Sequence, residues 1–171
     1  LKNGKELWNF KTESALIRSQ KRLSMVIVED MVYFNNSLGD ISAVRINDGE
    51  LLWQLPTQSS NIYESAFSLE TSDIIADKED LFFSNNKNQF FSIDIKSGSF
   101  NWKNSVNSYL RPTLIDNFII TVSLEGYLIV IDKITGDILK VTDIFNNFKP
   151  KKRKDILPTG FIVGLKNIYL S

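Results

Sequence analysis

Apolar residues along this chain fall into short runs, and a glycine or asparagine interrupts them about every ten residues. Val32-Tyr33-Phe34, Leu81-Phe82-Phe83 and Phe118-Ile119-Ile120 are three such runs. Each is followed by a turn-forming residue (Gly39, Asn88 or Gly126) and then a second apolar run at residues 41–46, 90–95 or 127–131. β-Branched and aromatic side chains dominate these runs, and their brevity and punctuation predict strands, not helices. The stretch 41–46 is apolar at both parities, with Ile41 and Ala43 on one and Val44 and Ile46 on the other. A strand of that kind is buried on both faces, so its sheet is expected to lie between two others.

The pattern repeats. Gly49, Gly98 and Gly136 each stand ten residues after Gly39, Asn88 and Gly126, and Trp53 and Trp102 stand four residues after the first two of these anchors. Gly4 and Trp8 have the same spacing. From Gly4 the anchors step by 45, 49 and 38 residues, which matches propeller blades of about 40–50 residues with four strands each. The first full unit is predicted as strands 25–28, 31–35, 41–46 and 50–55. The organisation expected is a blade end at 1–10, blades at 20–55, 70–104 and 110–142, a charged insertion at 145–157, and the start of a further blade at 159–171. A propeller hides its sheet edges by closing into a ring, so the chain is expected to be a fragment. Exposed edges of such a piece would favour self-association through edge strands.

Composition narrows the chemistry. The 171 residues are 43% hydrophobic and 23% charged, the range of a folded domain. Twenty basic and twenty acidic residues cancel, so no global field argues for nucleic acid. With neither Cys nor His in the sequence, thiolate nucleophiles, imidazole bases and most zinc or copper ligand sets are excluded from this segment. The longest apolar runs fall well short of the roughly 18 residues a membrane span needs. No leader is visible at Leu1-Lys2-Asn3-Gly4, and an upstream segment is expected to be missing.

The units at residues 43–53, 92–102 and 130–140 resemble the Ala-x-Asp-x-x-Thr-Gly-x-x-x-Trp signature of quinoprotein-like propellers. Gly permits the hairpin turn, Asp and Thr or Ser cap its backbone groups, and the Trp fills the space between blades. Each unit departs somewhere: Arg45 replaces the Asp, Ser92 and Val130 replace the Ala, and Lys140 replaces the Trp. The third blade is therefore expected to dock less tightly on its neighbour. Within that family the chain is similar to BamB-type lipoproteins, scaffold members of the outer-membrane β-barrel assembly machinery. Three stretches carry this: the Pro-containing connection Ser108-Tyr109-Leu110-Arg111-Pro112-Thr113, the strand Gly126-Tyr127-Leu128-Ile129-Val130-Ile131-Asp132, and the charged insertion before Pro158-Thr159-Gly160. The resemblance implies an all-β, partial β-propeller of about three to four four-stranded antiparallel blades from a larger, eight-bladed ring. It also implies a periplasmic, outer-membrane-associated scaffold with a protein partner such as a BamA-like barrel-assembly subunit, tethered through a lipid anchor outside this segment.

Candidate site residues were weighed against that frame. Tyr109, Leu110 and Arg111 join two blades and are the expected partner contacts, since Tyr and Arg are common interface anchors and inter-blade loops open on one face of a ring. The competing role for Leu110 is to pack beneath the loop, with Arg111 solvated. Trp8, Trp53, Trp102, Gly49, Gly98 and Gly136 are expected to dock blades. Asp48, Asp94 and Asp132 are expected to cap turns, and the Asn85-Asn86-Lys87-Asn88 run to form a hairpin turn in preference to a cation site. The basic run at 149–154 reads as a solvated loop, with an acidic partner surface or anionic head groups as its functional alternative. No cofactor or metal is expected and no catalytic residue is named. The enzyme alternative, a segment of a quinone-dependent dehydrogenase, would need carboxylate ligands and a vicinal Cys pair. A ligand-binding or sensor propeller is the third reading.

Overall fold

The computed structural model describes residues 4–12, 24–36, 38–57 and 70–171. Residues 1–3 of the expected blade end and 20–23 of the first expected blade lie outside these. The short apolar runs form strands, and each group of four folds as an antiparallel meander. The first blade comprises β1 (Met25–Val28), β2 (Met31–Asn35), β3 (Ile41–Arg45) and β4 (Leu51–Leu55). The second comprises β5 (Ile75–Ala76), β6 (Asp80–Asn85), β7 (Gln89–Asp94) and β8 (Phe100–Asn104). The third comprises β9 (Thr113–Ile115), β10 (Phe118–Val122), β11 (Tyr127–Asp132) and β12 (Ile138–Asp143). A short helix α1 (Pro150–Arg153) follows, then the hairpin β13 (Phe161–Val163) and β14 (Ile168–Leu170). The architecture is a partial β-propeller.

Two apolar clusters hold the blades together, and they explain why the middle strands are apolar at both parities. Tyr33, Ile41 and Ala43 of the first blade meet Leu81, Phe83, Phe91 and Ile93 of the second. On the other face of the second blade, Phe82 and Phe90 meet Ile119, Ile129 and Ile131 of the third. Phe82, Phe83, Phe90 and Phe91 are fully buried, each stabilising by about 1.5–3 kcal/mol relative to an exposed ring. Among the described residues no such cluster joins the third blade to the β13–β14 hairpin. Strand β12 is exposed along nearly its whole length.

One irregularity recurs in every blade. The β3–β4, β7–β8 and β11–β12 registers shift at Ala43/Val44, Ser92/Ile93 and Val130/Ile131. This bulge sets Ala43 opposite Trp53, Ser92 opposite Trp102 and Val130 opposite Lys140. A small side chain thus stands where an indole must lean, and Val130 occurs where the indole is gone.

Some sequence expectations need adjusting. The strands predicted at 41–46 and 90–95 end one residue early, where the hairpin closes through Gly49 N–H to the Arg45 carbonyl and Gly98 N–H to the Asp94 carbonyl. Described residues 4–12, within the expected blade end, contain no strand, and Trp8 docks on Gly49. Helix α1 in the charged insertion was not anticipated.

Candidate functional site

The blade topology sorts the loops onto two faces. Each blade runs inner strand to outer strand and returns to the next inner strand, so inter-blade connections share a face with the second turn of each blade. Hydrogen bonds bear this out: Ser108 N–H donates to the Asn85 carbonyl (3.3 Å), Leu124 N–H to Asn107 (2.9 Å) and Ile144 N–H to Gly126 (3.0 Å). The remaining turns form the opposite face, where Lys133 N–H donates to Asn117 and Ile95 N–H to Glu79 (both 2.8 Å). Tyr109, Leu110, Arg111 and the charged insertion lie on the first face, here termed the connection face.

The loop carrying Tyr109, Leu110 and Arg111 is held by its own side chains. Ser108 Oγ donates to the Val122 carbonyl at 2.8 Å and accepts from Leu110 N–H at 3.1 Å. Asn107 Nδ2 donates to Glu125 Oε1 at 2.7 Å. Burial pushes the Glu125 carboxyl up, but the bonds from Asn107 and Ser123 outweigh it and hold it below the usual range. Leu110 is only 5% exposed. It packs beneath the loop, so a direct contact with a partner is not available to its side chain in this conformation. Tyr109 is half-buried and Arg111 exposed. Both line a cavity of about 320 Å³ with Asp73, Thr159 and Phe161, and Arg111 also borders a second cavity of about 350 Å³ beside Ser24 and Ile74. Arg111 thus stands between two hollows along the innermost strands.

The Trp and Gly positions form a relay between blades. Trp8 Nε1 donates to the Ile46 carbonyl (2.6 Å), Trp53 Nε1 to Ile95 (3.2 Å) and Trp102 Nε1 to Lys133 (2.9 Å). The acceptor is each time three residues before the anchor glycine. The rings lie so close to Gly49, Gly98 and Gly136 that an added Cβ would sit 2.6–2.7 Å from the indole Cδ2. Trp102 also stacks on Phe90 at 5.8 Å, and the Tyr33 hydroxyl joins Trp53 at the Ile95 carbonyl (3.3 Å). Lys133, whose carbonyl takes the Trp102 N–H, sends its Nζ to Asp77 of the second blade at 2.7 Å. Sequence spacing does not reveal this ion pair, since its members are 56 residues apart. Nor does it reveal Phe145 seated on Gly126, where a Cβ would lie 2.2 Å from the ring.

The carboxylates and amides of the turns are engaged with backbone. Asp94 Oδ1 accepts from Lys96 and Ser97 N–H, and Asp132 Oδ1 from Ile134 and Thr135 N–H. Asp48 Oδ1 accepts from Glu50 N–H, while Arg45 Nη1 contacts Asp48 and Glu50. Hydrogen bonds to Ser97 and backbone hold Asp94 below the usual carboxylate range. Asn85 Oδ1 accepts from Lys87 N–H and Asn86 Oδ1 from Glu70 N–H. Among the described residues no three His, Cys, Asp or Glu side chains form a group able to hold a metal ion, and no helix is long and apolar enough to cross a membrane.

The profile of the family described as "Outer membrane protein assembly factor BamB" matches residues 1–142. An uncharacterized protein of Rickettsia prowazekii is 20% identical over 163 residues, covering 93% of this chain and 39% of the relative. The chain therefore spans about two fifths of that relative's length. Among solved structures, BamB from Moraxella catarrhalis superposes with a TM-score of 0.56 at 22% identity, over 70% of this chain and 39% of that one. The quinohemoprotein alcohol dehydrogenase of Comamonas testosteroni superposes with a TM-score of 0.55 at 13% identity, over 70% of this chain and 20% of that one. These two likenesses speak to fold alone.

Proposed function

Because the chain belongs to the family of the outer membrane protein assembly factor BamB, we propose that it is part of a non-catalytic platform that presents its connection face to a protein partner. The partner is a barrel-assembly subunit of the BamA type, and the setting is the periplasmic side of the outer membrane. One observation carries the reading: a loop stapled by Ser108 and Asn107 holds Arg111 exposed between two cavities, with Tyr109 beside it. A loop fixed in this way loses little entropy when a partner docks. Leu110 contributes from below by filling the loop's underside.

The test is capture of the purified barrel-assembly subunit by the intact protein. Arg111→Glu should weaken capture at least about tenfold, as expected for a charge reversal at an interface anchor. Undiminished capture would remove this loop from the interface. The dehydrogenase alternative has fold likeness on its side, but the turn carboxylates Asp94 and Asp132 are engaged in backbone capping. Redox turnover of an alcohol on addition of quinone and calcium would overturn the platform reading.

A further inference from the structure

The insertion after β12 carries a chemistry that the partner loop does not use. Lys149, Lys151, Lys152 and Lys154 are all exposed, and among the described residues none of the four makes an ion pair or hydrogen bond through its side chain. Arg153 is different: it reaches back to Asp143 (2.8 Å) and to the Phe148 carbonyl (3.0 Å), tying the insertion to the end of β12. Phe145, buried on Gly126, meets Phe148 edge to face at 6.0 Å. The base of the insertion is therefore fixed. Its outer surface offers four free ammonium groups together with two protruding apolar side chains, Phe148 at 45% and Leu157 at 52% exposure. The whole chain is neutral, so this charge is a local concentration and not part of a general basic surface.

We infer that this insertion docks on an anionic lipid surface. Lysine ammoniums are point charges without the planar fork that selects a particular carboxylate. They are spread along the exposed run from Lys149 to Lys154, and neither cavity near Arg111 is lined by them. Exposed cations of that kind suit a deformable layer of phosphate head groups. Phe148 and Leu157 can enter the head-group boundary while the lysines remain among the phosphates. The insertion shares the connection face with Arg111, so a membrane bound there would lie on the side of the ring that meets the proposed protein partner.

The experiment is co-sedimentation of the purified protein, free of any lipid modification, with phosphatidylcholine vesicles that either contain or lack phosphatidylglycerol. No protein partner is present, so the outcome is independent of the platform reading. Binding should require phosphatidylglycerol, fall as salt is raised, and drop roughly fivefold for each lysine changed to Gln. Phe148→Ser should weaken binding further at any salt concentration. The four-lysine variant should keep the wild-type melting temperature, since these side chains are exposed and make no ion pair or hydrogen bond among the described residues. Equal binding to pure phosphatidylcholine, unchanged binding by the folded four-lysine variant, or no binding by wild type would each overturn the inference. Capture on immobilised polyglutamate without vesicle binding would assign the patch to an acidic protein instead.

Discussion

The Trp53 ring lies flat on the backbone of Gly98, close enough that a methyl group there would come within 2.6 Å of the indole Cδ2. Gly98 also has φ +70, so Ala meets two penalties at once, a left-handed backbone and an indole in its way. Gly98→Ala should cost roughly 2–5 kcal/mol, combining about 1–2 for the backbone with about 1–3 for overpacking. Gly4 provides the control. It has φ +64 but nothing within 4 Å of an added Cβ, so Gly4→Ala should meet only the backbone penalty of about 1–2 kcal/mol. Urea midpoints of the two variants would check the difference, and equal losses would disprove a steric role for the indole.

The indole N–H can be separated from the ring. Trp102→Phe keeps an aromatic plate near Phe90 but leaves the Lys133 carbonyl without its 2.9 Å donor. The expected loss is about 1 kcal/mol. Trp102→Ala also removes the packing of a half-buried ring and should cost about 3 kcal/mol or more. Thermal melts of both variants against wild type read the two contributions.

The Asp77–Lys133 pair predicts a pH profile. Burial pushes Asp77 up, but the Lys133 hydrogen bond and neighbouring backbone N–H groups more than compensate and hold it below its ordinary value. Its stabilising effect is present above the unfolded carboxylate pKa and is lost as pH falls through the lowered folded value. Lys133 is raised, chiefly by the Asp77 hydrogen bond. Its effect is present below the unfolded lysine pKa and is lost as pH climbs through the raised folded value. Stability from this pair should therefore be flat between about pH 5 and 9 and decline outside it. Asp77→Asn should lower the plateau and flatten both declines in a series of urea titrations.

Asp80 behaves in the opposite sense. Burial raises its pKa, with Asp77 and Glu79 adding repulsion, so its charged form burdens the fold. Asp80→Asn retains an oxygen that can accept the 2.7 Å bond from Asn101 and should stabilise by a few tenths of a kcal/mol at neutral pH. The gain should vanish near pH 3, where Asp80 itself is protonated. A gain that persists there would point to packing instead of charge.

Leu110 and Arg111 should separate in experiment. Leu110→Ala empties a buried site beneath the loop and should cost about 2–3 kcal/mol of stability, whereas Arg111→Glu should leave the melting temperature within about 1 °C, as a surface substitution does. A large loss of stability from Arg111→Glu would mean that the residue holds the fold together and does not await a partner.

The sequence made the blades legible because their information is local. Alternating apolar runs, a turn glycine and a tryptophan four residues later lie within a dozen positions of one another, and the strands formed almost where that pattern placed them. The indole N–H groups that reach the Ile46 and Ile95 carbonyls come from another blade, which no local pattern records. The Asp77–Lys133 pair and the seat of Phe145 on Gly126 escaped notice for the same reason. Leu110 looked available in sequence because it is flanked by Tyr and Arg. Its burial depends on Ser108 drawing the loop inward, a contact set by the neighbouring strand β10.

The tryptophan relay gives the blades a polarity. Every hairpin from Gly49 to Gly98 accepts a ring from behind and, four residues on, sends one forward, using identical offsets at both ends. Such couplings are interchangeable links. A duplicated or deleted stretch running from one Gly-x-x-x-Trp to the next would leave the indole links at both flanking junctions with matching ends, so only the apolar faces between blades would have to adapt. At Lys140 the forward link is missing, and that junction is where such an exchange would find no ready-made fit.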